Sequence, residues 1–396
     1  MGLGEFRHLA GKPAARSLPQ LFSSRLSVDA QFLNSVSSPK VNDAPVRKGS
    51  HVETLEELGQ LRDAIDRNDI TRVQDLMTRN PGLHKARLGY GKDGPLTLAA
   101  ECGVPTESRL SIARWMIENG SDVHQGGDGP LMRAALSSNR IPMMELLVSH
   151  GANVNAEWHN GYPIIFAACE AVDPVSLKWL LDHGANPNCD RVGREHRGTA
   201  LEYVIGSYVR SPRLGACIDL LVETGGVSKY DAVVLDALRG NPDRVAAHLD
   251  ADPSVTHRRF PQLDFGTTGG RMLTLRGATL LHIAAEYVNL PLAMLLLDRG
   301  ADVNVTAFVD DAGVGGQTPI FHAVTQFNDA GIPMVRLLMD RGADVAIRAK
   351  VPGHYERPGE VLECTPLGYA THFRDETSAG DKAKTIALLK QRGAPE

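Results

Sequence analysis

The sequence predicts an all-α solenoid of about nine stacked helix pairs, and three observations predict it. A short apolar slot recurs: "GPLTLAA" from Gly94, "GPLMRAA" from Gly129, "YPIIFAA" from Tyr162, "TALEYVI" from Thr199, "TLLHIAA" from Thr279, "TPIFHAV" from Thr318 and "TPLGYAT" from Thr365. Second apolar runs end in glycine, among them "WMIENGSDV", "LLVSHGANVN", "WLLDHGANPN", "LLLDRGADVN", "LLMDRGADV" and "LLKQRGAP". The interval is regular, since equivalent positions 95, 130, 163 and 200 lie 35, 33 and 37 residues apart. Self-similarity at such a period marks an architecture in which one unit cannot bury its apolar face alone and stacks on its neighbours.

Each piece of the unit has a physical reading. Thr at the head of the slot suits an N-cap, where its oxygen accepts a backbone N–H. Pro at the next position fits the first helical turn, whose N–H groups have no intrahelical partner anyway. The alanine pair that closes the slot lets a neighbouring helix approach. The second run, as in "LAMLLLD" at 292–298, spaces apolar residues by three and four and so forms one buried stripe. Gly151, Gly184, Gly300 and Gly342 suit a left-handed C-terminal cap, where a Cβ would clash. The "ADVN" that follows reads as an extended turn into the next unit.

These residues resemble the ankyrin repeat family. The unit nearest its pattern is "GATLLHIAAEYVNLPLAMLLLDRGADVN", 277–304, and the resemblance extends in weaker form over about 55–396. Nine units can be drawn, seven with the slot. Only His282 keeps the family histidine, which leaves the inter-repeat hydrogen bonds of the other units unsupported by sequence. The resemblance implies a non-catalytic protein-interaction scaffold. Carried over by position, it points to the two residues after each alanine pair as concave-face contacts: Glu101, Cys102, Leu136, Ser137, Cys169, Glu170, Glu286, Tyr287, Thr325, Gln326, His372 and Phe373.

Two units lack the slot. "DAIDRNDITRVQDLMTRNPGLHKAR" from Asp63 and "DALRGNPDRVAAHLDADPSVTHRR" from Asp236 align with one gap. Either the chain restarts there, giving blocks of 55–230 and 231–396, or two short helix pairs look alike. Residues 1–54 stand apart. The first fifty carry seven Lys/Arg, three Asp/Glu and eight Ser, so about +4 of charge faces about −9 in the rest. They read as a disordered basic leader, with an organellar transit peptide as the alternative.

In the second block the connectors lengthen. Equivalent positions 233, 280, 319 and 366 are separated by 47, 39 and 47 residues. Insertions at one point of successive repeats fall on one face of a solenoid, often the binding face. The fingers "LDFGTTGGRM", "VTAFVDDAGVGG" and "RAKVPGHYERPGEVLE" are therefore expected to form one lobe outside the stacked core. It would present Phe260, Phe265, Phe308, His354 and Tyr355 beside Arg258, Arg259, Arg271, Arg348, Arg357, Asp310 and Asp311. Aromatic and arginine side chains are the types that anchor interfaces. The alternative is that the fingers pack only on one another. A smaller basic finger, "CDRVGREHRG" at 189–198, reads as an acidic-partner site or a solvated loop.

The remaining signals narrow the function classes. Asp-Phe-Gly in "LDFGTTGGRM" lacks the strand lysine, H-R-D and A-P-E of a kinase, and Gly270 is followed by Arg271 rather than the lysine of a phosphate loop. No H-E-x-x-H or G-x-S-x-G motif joins the histidines, so no catalytic residue, metal or cofactor is assigned. Five scattered cysteines give no zinc or disulfide spacing. A net charge of −5 gives no case for nucleic acid, and no apolar run reaches membrane-span length. The expectation is a cytoplasmic monomer that binds another protein. Alternatives are a small-molecule or peptide sensor with a pocket under the long fingers, and a cryptic hydrolase site pairing His354 with Asp310 or Asp311.

Overall fold

The computed structural model describes residues 55–101, 106–137, 141–159, 161–189, 198–267, 270–374 and 380–396. The leader, Cys102 and most of the 189–198 finger lie outside the described residues. Among the described residues eighteen α-helices form nine pairs: α1 (Leu55–Asp66) with α2 (Ile70–Arg79), α3 (Pro95–Glu101) with α4 (Glu107–Glu118), α5 (Gln125–Leu136) with α6 (Ile141–Ser149), α7 (Ile164–Glu170) with α8 (Pro174–Asp182), and α9 (Ala200–Gly206) with α10 (Leu214–Glu223). Then come α11 (Ala232–Leu238) with α12 (Pro242–Ala251), α13 (Leu280–Glu286) with α14 (Leu290–Asp298), α15 (Pro319–Val324) with α16 (Ile332–Asp340), and α17 (Pro366–His372) with α18 (Ala383–Gln391). This is the expected all-α solenoid, in which inner helices pack on the inner helix of the next pair, except that α11 meets the preceding pair through the outer helix α10.

The inner helices are short and nearly enclosed. The pairs Ala99/Ala100, Ala134/Ala135, Ala167/Ala168 and Ala284/Ala285 are all fully buried, as close helix stacking requires. Cys169 of α7 and Cys217 of the outer helix α10 are buried as small hydrophobes. Thr365 caps α17 by accepting from the Gly368 N–H (3.1 Å). Gly300 takes φ +86°, and the Ala301 N–H beyond it closes on the Leu296 carbonyl (2.9 Å), satisfying an orphan acceptor of α14. In α5, Gly126, Gly127 and Asp128 all have positive φ, so the regular helix begins only after them.

The "DVN" segments do more than turn the chain. Asn304 donates from Nδ2 to the Gly342 carbonyl (3.1 Å) and accepts the Asp344 N–H (2.8 Å), so one asparagine ties two consecutive units. Asn155 and Asn188 make the same pair of bonds to the units after them. His282 adds an inner tie. Its Nδ1 accepts the Thr279 N–H (3.2 Å), and Nε2 donates to the Gln317 carbonyl (3.1 Å) in the next unit.

Residues 51–396 form one compact unit. Across residue 230, Arg239 pairs with Asp219 (2.7 Å). The two slot-less segments form α1–α2 and α11–α12, each followed by a 3-10 turn that starts at Pro81 or Pro253. We propose that the chain's organisation restarts at the second of these segments; two short helix pairs of similar build are the alternative. Two short antiparallel hairpins complete the fold: β1 (Glu157–Trp158) with β2 (Tyr162–Pro163), and β3 (Ala349–Pro352) with β4 (Val361–Cys364) in the register Ala349↔Cys364 to Pro352↔Val361.

Candidate interaction surface

The three long connectors each close on themselves before they meet. In the first, Phe260 bridges Ala278 and the Leu275 N–H donates to the Phe265 carbonyl (2.7 Å). In the second, Val309 bridges Gly315, and the Asp310 carboxylate accepts the N–H groups of Ala312 (3.0 Å) and Val314 (2.8 Å) across its own turn. The third is the β3–β4 hairpin, whose outer face carries Lys350, Val361 and Glu363.

Backbone bonds then join finger to finger. The Gly315 N–H donates to the Lys350 carbonyl (2.6 Å). Arg271 bridges His354, with the Met272 N–H on the Gly353 carbonyl (3.1 Å) and the Tyr355 N–H on the Gly270 carbonyl (2.8 Å). Gln317 Nε2 reaches the Thr274 carbonyl (3.1 Å). The enlarged fingers thus make one lobe, cross-bonded along the backbone.

Beneath that lobe lies a buried ion cluster. Glu286, at the end of α13 and fully enclosed, accepts Arg210 Nε (2.9 Å) and Nη2 (2.7 Å) on one oxygen. Its other oxygen accepts Arg271 Nη2 and His322 Nδ1 (2.7 Å). Burial alone would raise the carboxyl's pKa, yet Arg271, Arg210 and His322 together hold it well below the usual range. Burial lowers the His322 pKa despite the neighbouring carboxylate, and pushes His282 down to about 3 with help from His322. Both imidazoles are neutral at pH 7. Arg210 also donates to the Gly266 and Thr267 carbonyls (2.8 and 3.1 Å), which pins the first finger from the previous unit.

This cluster corrects part of the sequence reading. Phe260, Phe265, Arg271, Glu286, Gln326, His354 and Phe373 are buried, so they hold the lobe together from inside and do not face a partner. Phe265 packs edge-on against Tyr230 (5.2 Å), and Phe260 lies under the Arg258 guanidinium (4.8 Å). Gln326 Nε2 donates to the Glu286 and His322 carbonyls (2.9 and 2.8 Å). His354 sits between Tyr355 and Phe373, and Phe373 meets Tyr369 edge-on. The fingers are therefore part of the core at their roots rather than outside it. Among the concave candidates, Leu136, Cys169, Glu170 and Thr325 are also buried. Glu101 pairs with Arg133 (2.9 Å), and Glu170 accepts the hydroxyls of Tyr162, Tyr203 and Tyr208.

The rest of the assigned set reaches solvent. Phe308 is 42 % exposed beneath Arg259, Asp310, Asp311 and Arg357 are exposed, and Tyr355, Tyr287, His372 and Ser137 are half-buried. Arg357 pairs with Glu360 (3.0 Å), which also lies 3.3 Å from His372 Nε2. Sequence reasoning missed Met272 (45 % exposed), Val309 (58 %) and Val361 (47 %), large apolar side chains that join Phe308 on the lobe's outer surface. Nothing local in the sequence marks Met272, Val309 or Val361 as exposed.

His354 Nδ1 lies 3.7 Å from Glu356, while the Asp310 carboxylate accepts backbone N–H groups of its own turn. A depression of about 530 Å³ lies on the outer helices rather than under the fingers. Among the described residues no group of three or more His, Cys, Asp or Glu is placed to hold a metal ion. None of their helices is long and apolar enough to cross a membrane.

Comparison with known proteins agrees with the repeat geometry. Residues 237–349 match a family model of three ankyrin repeats, and residues 126–158 match that of a single one. Over 195 residues the chain is 27 % identical to a putative ankyrin repeat protein of Fowlpox virus (strain NVSL), covering 48 % of this chain and 89 % of that one. Over 99 residues it is 34 % identical to a putative ankyrin repeat-containing protein of Treponema pallidum (strain Nichols), covering 24 % and 33 %. Among solved structures, the human ASB11 ankyrin repeat domain is similar with a TM-score of 0.34 and 22 % identity, over 67 % of this chain and 99 % of that one.

Proposed function

The chain is an ankyrin-repeat protein, and from that premise we propose that it is a non-catalytic scaffold that binds another protein through the outer surface of its finger lobe. One observation carries the proposal: Met272, Phe308, Val309 and Val361, from all three fingers, stand exposed on a lobe whose strands are bonded to one another. Exposed apolar side chains gathered on one lobe and rimmed by charge mark an interaction site. Asp310, Asp311 and Arg357 supply that rim, with Tyr355, Tyr287 and His372 half-buried towards the inner helices. Because the loops are already fixed by backbone bonds and by Arg210 and Arg271, little loop entropy is lost when a partner docks.

The test is a pull-down from source lysate with the intact protein beside the triple variant Met272→Glu, Val309→Asp, Val361→Asp. These positions are at the surface, so the helical circular dichroism should be unchanged. A protein retained by the intact chain and lost by the variant supports the lobe as the docking site. Equal capture by both refutes it.

A further inference from the structure

The outer helices of the two halves differ in one respect. In the second half they are tied by a charge ladder. Arg299, just past α14, reaches back to Asp250 of α12 (2.6 Å). Arg341, past α16, reaches Asp298 of α14 (2.9 Å), and Arg392, past α18, reaches Asp340 of α16 (3.0 Å). Each rung sets the arginine before a closing glycine against an aspartate near the end of the preceding outer helix. In the first half the residues before the closing glycine are Asn119, His150, His183 and Thr224, so no arginine occupies the rung position.

Where the ladder is missing, an open groove of about 530 Å³ lies along α8 and α10. Its apolar lining is Pro174, Val175 and Trp179 from α8, Ala216 and Leu220 from α10, and Ile141 at the start of α6. Val175 is 52 % exposed. Charge is concentrated at one end: Asp182 and Glu223 are the last residues of α8 and α10, where two helix C-termini add their own negative ends. Asp182 is shared with Lys178 of its own helix (2.8 Å), and Asp219, farther along, with Arg239 (2.7 Å). Glu223 stands exposed beside them.

We propose that this groove is a second docking site, on the face away from the inner helices, and that it takes an arginine-bearing amphipathic helix of a partner protein. The chain itself shows what the position accepts: three times elsewhere a guanidinium sits between the ends of consecutive outer helices. A partner helix would lay apolar residues one turn apart over Val175, Trp179 and Leu220, and bring its arginine to Asp182 and Glu223. Two to three turns suffice, since α8 and α10 are 9 and 10 residues long. The site is independent of the finger lobe.

The test uses the full chain and two synthetic 14-residue peptides with the same leucine face, one flanked by arginines and the other by glutamates. Fluorescence anisotropy of the labelled peptides, at two salt concentrations, reads the binding. The Leu/Arg peptide should bind at least tenfold more tightly than the Leu/Glu peptide, and more weakly as salt rises. Val175→Asp and Glu223→Lys, both at exposed positions, should each weaken it several-fold with circular dichroism unchanged. Absence of Leu/Arg binding, or binding insensitive to both substitutions, overturns the proposal. So does concentration-dependent self-association abolished by Val175→Asp, which would make a second copy of this chain the occupant.

Discussion

Replacing Glu286 with Gln should destabilise the protein by about 3–5 kcal/mol, the cost typical of stranding a buried charge. The side chain keeps its shape but loses the charge that two guanidinium groups and an imidazole share. Arg271 is the group that suffers most, because it is itself almost fully buried and its Nε and Nη1 have no other protein partner. At a separation near 3 Å and an effective dielectric of about 20, each guanidinium–carboxylate attraction is roughly 5 kcal/mol, set against several kcal/mol of desolvation for each ion. The intact cluster is thus close to balanced, and removing only its anion is what costs.

Urea unfolding followed by circular dichroism would read the change, and a second variant makes it diagnostic. Arg271→Met combined with Glu286→Gln leaves no stranded guanidinium at that position, so the double variant should lose less than Glu286→Gln alone. A loss below about 1 kcal/mol in the single variant, or simple additivity in the double, would refute the view that Glu286 exists to neutralise the finger's arginine.

Two other expectations follow from the same geometry. The folded-state pKa values of His282 and His322 lie below the ordinary 6.5, so below that pH the unfolded chain binds more protons and stability falls with acidification. The slope is at most about 1.4 kcal/mol per pH unit for each histidine; for His282 it runs from 6.5 down to about 3, and Glu286 adds to the loss only below its unfolded value of 4.5. Melting temperatures should therefore drop between pH 7.5 and 5, and a flat profile would contradict the buried neutral imidazoles. Gly300→Val should cost about 1–2 kcal/mol, because φ is +86° and nothing lies within 4 Å of an added Cβ, so the penalty is purely conformational; an unchanged urea midpoint would remove the cap assignment.

The helix pairs were legible in the sequence because a local code specifies them: Thr or Asp at the cap, the alanine pair, the closing glycine. The fate of the fingers was not, because it depends on pairings such as Arg271 with His354 and Gly315 with Lys350, far apart in sequence. Residue type alone suggested that Phe260, Phe265 and Arg271 face a partner, since the same types anchor interfaces and small cores alike. The position of Glu286 held a clue. A carboxylate directly after the "IAA" of an inner helix is enclosed by its neighbours and demands a cation, and the nearest long connector supplies Arg271. The asparagine ties were overlooked for another reason: "DVN" reads as a turn, and nothing local shows that its amide reaches the next unit.

The outer face offers a direct way to exchange one chemistry for the other. Thr224 has φ −91° and ψ 11°, nearly the conformation of Arg299 (−91°, 12°) and Arg392 (−91°, 10°), and it follows α10 as they follow α14 and α18. Thr224→Arg should therefore aim its guanidinium at Asp182, the last residue of the preceding outer helix, and build the missing rung across the charged end of the groove. Exposed ion pairs contribute little, so stability should change by no more than about 0.5 kcal/mol. The Leu/Arg peptide, which needs the same carboxylate, should bind several-fold more weakly. A variant that is equally stable and binds the peptide as before would show that Asp182 is not where the arginine docks, and the equivalence between ladder and groove would fail.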